Sequence, residues 1–75
     1  MNATQAKYEE IVAAQKSNKV VAVIDAARTF LVSEAIEAGC DVPKLLVSQP
    51  DGALQANEVE FWLRRSGVVD LFVTF

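Results

Sequence analysis

Apolar residues in the first part of the chain recur with a helical period. Tyr8, Ile11, Val12 and Gln15 share one side of a wheel, with Lys7, Glu9 and Glu10 elsewhere, which predicts a helix from about Thr4 to Ser17. Asn2 or Thr4 is placed to cap its start, Asn2 with Gln5 resembles a capping box, and Asn18 reads as a left-handed stop. The rhythm then changes. Lys19 to Asp25, KVVAVID, is an unbroken apolar run ending on a carboxylate. Buried central strands of parallel sheets read this way, because helices cover both faces and no solvent side remains to alternate towards.

Beyond a connection at Ala26 to Thr29, Phe30 to Ala38 predicts a short helix presenting Leu31, Val32, Ala35 and Ile36 on one side, with Gly39 at its left-handed end. Cys40 to Pro43 is a loop, and Lys44 to Ser48 a second strand closed by Pro50. Asp51 is suited to cap a helix running to about Arg65, which Gly67 stops. Val68 to Phe75 is a third strand, rich in Val, Phe and Leu. In the last helix Ala56, Val59, Trp62 and Leu63 turn to the side expected to face the sheet, which makes Trp62 a core residue. Leu54 and Phe61 fall on the opposite side, as incidental surface apolars or as a contact strip for a second copy or another protein.

Helix and strand therefore alternate three times in one domain spanning 1–75. The fold class is α/β: a three-stranded parallel sheet joined by right-handed crossovers, with helices on both faces. With the first strand central, the order is 2-1-3, and the middle helix is expected on one face with the outer two on the other. Ligands of such sheets bind beyond the carboxyl ends of the strands where the winding reverses, which here lies between the ends of strands one and three, at Asp25 and Phe75.

Composition narrows the functional classes. Hydrophobic residues make up 52% of the chain and mean hydropathy is +0.23, enough in so small a domain to expect exposed apolar surface and a homodimer. A net charge of −3, with lysines and arginines scattered apart from Arg64 and Arg65, argues against nucleic acid as a partner. Cys40 is the only cysteine and histidine is absent, so no disulfide forms within the chain and the usual zinc spacings are missing. Cys40 reads as a small apolar filler, since no histidine exists to activate it. No apolar run has bilayer length and MNATQAKYEE lacks a signal-peptide pattern, so a soluble, cytoplasmic protein with no membrane partner is expected.

VIDA at Val23 to Ala26, LLVSQPD at Leu45 to Asp51, Gln55 with Ala56, and RSGVVD at Arg65 to Asp70 together resemble the ATPase core of the bacterial RecA recombinase family, without a gap. The resemblance implies the 2-1-3 sheet of a P-loop NTPase subdomain. It also locates the departures. The family's phosphate loop ends in Gly-Lys-Thr-Thr, and the aligned residues are Asn2, Ala3, Thr4 and Gln5, of which only Thr4 keeps its type. The family's catalytic Glu aligns with Ala27, its adenine-contacting Asp and Tyr with Leu31 and Glu34, and its metal-associated Asp with Phe75. With these groups replaced, no catalytic residue, metal ligand or cofactor is expected, and Thr4 and Asp25 are the vestigial candidates. Asp25, alone at its strand end, reads as structural or solvated more readily than as a base. A kept core spacing with an emptied site is expected of an engineered scaffold that folds without catalysis. A small interaction module and a residual nucleotide or single-stranded DNA binder are the alternatives.

Overall fold

The computed structural model describes residues 3–75, so the proposed caps and box at Asn2 lie outside the described residues. Helix α1 spans Ala3–Lys16, strand β1 Val21–Ile24, helix α2 Val32–Ala38, strand β2 Leu46–Ser48, helix α3 Ala53–Ser66 and strand β3 Leu71–Thr74. A 3₁₀ turn at Val42–Lys44 occupies the start of the expected second strand. The sheet is parallel throughout in the order β2-β1-β3, as the apolar run at β1 implied. All four residues of β1 are buried, as a strand flanked on both edges and covered on both faces requires. Asp70 ties the strand starts together: its carboxylate accepts from the Val20 amide at 2.8 Å, and its own amide donates to the Val20 carbonyl at 2.8 Å.

Alternation along β1 separates two layers. Val21 and Val23 pair in register with Leu71 and Val73 and join one core with Tyr8, Ile11 and Ala14 of α1, Phe30, Ala35 and Leu45. Ala22 and Ile24 face the other way, alongside Leu46 and Phe72, on the side to which the right-handed crossover from β2 to β3 carries α3. The Arg64 guanidinium lies 4.3 Å from the centre of the Phe72 ring and anchors α3 there.

The helix arrangement corrects one expectation: α1 packs beside α2 on the same face, leaving α3 alone on the other. Cys40, just beyond α2, directs its Sγ at the Tyr8 carbonyl of α1 at 3.7 Å, and Gln15 of α1 bonds both the amide and the carbonyl of Asp41. The handedness rule governs strand-helix-strand units, and α1 enters β1 without a described strand before it.

The stops behave as read. Asn18 sits at φ 60° and Gly39 at φ 100°, where the Gly39 amide bonds the Ile36 carbonyl and the Cys40 amide bonds Ala35, while Gly67 sits at φ 71°. The starts do not. Thr4 lies inside α1, and Gly52, not Asp51, occupies the position before α3, with no side-chain cap. Asp51 instead donates its amide to Gln55 Oε1 at 2.6 Å.

Two faces also differ from expectation. In α2 only Ala35 is buried, whereas Leu31, Val32 and Ile36 are exposed, because the helix begins two residues late and Phe30 reaches the core from the loop. In α3 no residue is fully buried, and Trp62, expected in the core, is 65% exposed. A single helix over a three-stranded sheet buries only a narrow stripe, here Ala56, Val59 and Leu63, each half-buried. Cys40 is buried with a free thiol, as a filler should be, and burial pushes its pKa up.

Candidate functional site

The carboxyl ends of the three strands converge on Asp25, Gln49 and Phe75. Asp25 is fully buried, and its position follows from β1: the residue after Ile24 continues the alternation and turns its side chain into the layer of Val21 and Val23. A buried carboxylate requires hydrogen bonds, and Asp25 has three. Oδ1 accepts from the Thr29 amide at 2.9 Å, and Oδ2 accepts from the Phe30 amide at 2.9 Å and from Gln49 Nε2 at 3.3 Å. Burial by itself raises the Asp25 pKa, but the backbone bonds from Thr29 and Phe30 and the Gln49 amide together outweigh it and hold the pKa below its ordinary value.

These bonds shape the β1 to α2 loop. The chain turns through Arg28 at φ 60°, a left-handed position that a non-glycine residue takes only when its surroundings demand it. The Arg28 guanidinium then bonds Gln49 Oε1 at 3.0 Å and Asp51 Oδ1 at 3.3 Å, closing the loop onto the end of β2. Asp25, Gln49, Arg28 and Asp51 form one chain of contacts in which the only fully buried charge is that of Asp25.

Next to this network, aromatic rings stand where the crevice between β1 and β3 was expected. Tyr8, Phe30 and Phe75 pack mutually, with ring centres 5.8, 5.3 and 5.2 Å apart. Tyr8 Oη accepts from the Leu31 amide at 3.0 Å and donates to Glu34 Oε1 at 3.4 Å. Burial, ahead of the opposing Leu31 bond and the neighbouring Glu34 charge, raises its pKa. Lys7 lies 5.3 Å from the Phe75 ring centre.

Thr4 is half-buried in the first turn of α1, and the bonds of Asp25 run to the following loop and to Gln49. Leu54 and Phe61 are exposed, at 77% and 52%, on the outer side of α3. Phe61 packs edge-on against Trp62, with ring centres 5.3 Å apart, and Arg65 lies over both rings. Sequence reasoning missed Gln49 and Arg28 as the partners that organise the strand ends. The sole signal for Gln49 was its place in LLVSQPD, and Arg28 carried none, since its role depends on a backbone conformation its residue type does not favour.

A parallel sheet wound outward from a central strand, with a carboxylate at that strand's end, defines a doubly wound α/β domain. Comparison with known proteins makes this specific. Residues 2–74 match the RecA N-terminal domain, and the chain belongs to that family. It is 49% identical over 59 residues to Protein RecA of Petrotoga mobilis, covering 79% of this chain and 16% of that protein. It is also 49% identical over 63 residues to Protein RecA of Nautilia profundicola (84% and 18%) and 44% identical over 70 residues to that of a Sulfurovum species (93% and 20%). The chain thus spans no more than about one fifth of the length of these relatives, 20% in the longest of the three matches. No helix among the described residues is long and apolar enough to cross a membrane.

Proposed function

We propose that this chain is a non-catalytic member of the RecA N-terminal domain family, a folding scaffold that has exchanged its nucleotide site for internal packing. The observation that carries this reading is the commitment of the Asp25 carboxylate to Thr29, Phe30 and Gln49. A group that bonds its own loop from a fully buried position is not free to orient a water or a metal ion. The Tyr8, Phe30 and Phe75 cluster supports the same reading, because apolar rings fill the strand-end region where a charged phosphate would need polar partners. Ala27, aligned with the family's catalytic Glu, has no side chain able to accept a proton. Family-like core spacing beside replaced site positions favours an engineered origin within this reading.

The test is a two-dimensional amide NMR spectrum with and without excess magnesium ATP. Dispersed peaks that do not move are the expected result. Saturable shifts clustered at Ala26 to Thr29, Gln49 and Phe75 would show that the strand ends still bind phosphate, and the proposal would fail. Interaction with another protein chain is the second reading, favoured by the exposed Trp62, Phe61 and Arg65 cluster.

A further inference from the structure

The sheet has two open edges, β2 and β3, and the surroundings of β2 are apolar on both faces. Val47 pairs in register with Val23 and so belongs to the face of α1 and α2, whereas Leu46 pairs with Ala22 on the face of α3, and both are exposed. No charge or proline lies within Leu46–Ser48 to block pairing, the device by which exposed edges are usually protected.

The helices present apolar residues towards the same edge. In α2, Glu34 marks the flank facing α1, since Tyr8 Oη bonds it. Val32 and Ile36 stand roughly 160–200° around the helix from Glu34, at about 100° per residue, which turns them away from α1 towards β2. Ile36 is 60% exposed. In α3, Arg64 marks the flank over β3 by its stacking on Phe72. Trp62, two residues earlier and roughly 160° away by the same rotation, lies on the flank towards β2. Val32, Ile36 and Val47 on one face, with Leu46 and Trp62 on the other, therefore bracket one open strand.

We propose that a second copy of this chain pairs with β2 across a two-fold axis through Val47, antiparallel, to make one six-stranded sheet. The backbone sets this register. Ser48 turns its carbonyl to the Asp25 amide of β1 at 2.8 Å, so Val47, one residue away, turns its own amide and carbonyl to the open edge. Two such residues facing each other exchange both hydrogen bonds, as in the closely bonded pairs of an antiparallel ladder. The two-fold also brings Lys44 of one copy to the Pro50 and Asp51 end of the other, opposite in charge. A lone peptide strand would cover the backbone edge but leave Val32, Ile36 and Trp62 in water, whereas a second copy supplies a helix on each face to cover them. With extents of 30 × 25 × 19 Å, an edge-on contact buries roughly 500 Å² per partner, the low end for specific interfaces, which implies a weak and reversible dimer.

The test is the solution mass of the intact chain from about 10 μM to about 1 mM, the span over which so small an interface populates, together with amide exchange at both ends of that range. The mass is expected to rise from 8.2 kDa towards twice that value, and the Val47 amide to exchange at least about tenfold more slowly at the high end. Ile36→Lys, placed at a position exposed in the monomer, is expected to remain monomeric throughout, as is Val32→Lys. The variant Leu54→Ser, on the outer side of α3, is expected to dimerise normally. A wild-type mass fixed at 8.2 kDa, or a Val47 amide indifferent to concentration, overturns the proposal without recourse to any variant. Dimers that persist in a folded Ile36→Lys protein, or that vanish in Leu54→Ser, overturn the placement of the interface at β2.

Discussion

Asp25 concentrates more of the local order than any other side chain, because three donors converge on a carboxylate that water does not reach. Asp25→Ala leaves the Thr29 and Phe30 amides without their acceptor and is expected to cost about 3 kcal/mol, given about 1.5–3 kcal/mol for hydrogen bonds to a charged group and the penalty for orphaned buried donors. Urea denaturation of the two proteins measures the difference. The same residue makes stability depend on pH. Its pKa in the folded state lies below the ordinary 3.8, so its contribution is fully present above that value and is lost as pH falls through the lowered folded pKa. Stability measured by urea at stepwise lower pH is expected to fall more steeply in the wild type than in Asp25→Asn below about pH 4. The isolated carboxylate was legible in the sequence only as structural or solvated, and its burial excludes the second; its partners were not legible, since Gln49 lies beyond another strand and the amides belong to a loop that a helical pattern had partly absorbed.

Helix ends obey local chemistry more closely than helix faces do. Gly39 at φ 100° ends α2 with bonds back to Ala35 and Ile36, and a Cβ there would meet Val12 Cγ2 at an ordinary 3.8 Å. The cost of Gly39→Ala is therefore conformational and not steric crowding: about 1–2 kcal/mol for a left-handed alanine, read as a lowered urea midpoint with an unchanged slope. Asn18, Gly39 and Gly67 were all legible as stops because glycine and asparagine take a positive φ at little cost after a helix. The faces of α2 and α3 were not. Val32 and Ile36 have the spacing of a buried stripe, and Trp62 the bulk of a core residue, yet burial depends on whether a neighbouring element exists to receive them.

At the scale of the whole molecule, packing is unequal between the two sides of the sheet. The face of α1 and α2 holds the contiguous core, while α3 has no fully buried residue and β2 is short and open on one side. Native-state hydrogen exchange at low concentration is accordingly expected to be slowest in β1 and faster by at least about tenfold in α3 and at the outer amide of β2, because local opening there exposes little apolar surface. Uniform protection across all elements would contradict this picture.

The sequence by itself determined the alternation of helix and strand, the burial of β1, the parallel order 2-1-3 and the membership of the RecA N-terminal domain family. These follow from periodicity, from residue-specific turns and from a motif order read along the chain, all of which are local or collinear properties. Tertiary structure alone decided that α1 shares a face with α2, that Trp62 stays in water, and that Asp25 is held by Arg28's loop and Gln49. The helix pairing and the Gln49 bond depend on surfaces that meet across gaps of twenty or more residues, the loop bonds depend on the left-handed turn at Arg28, and an apolar pattern states only that a surface is to be covered, not what covers it.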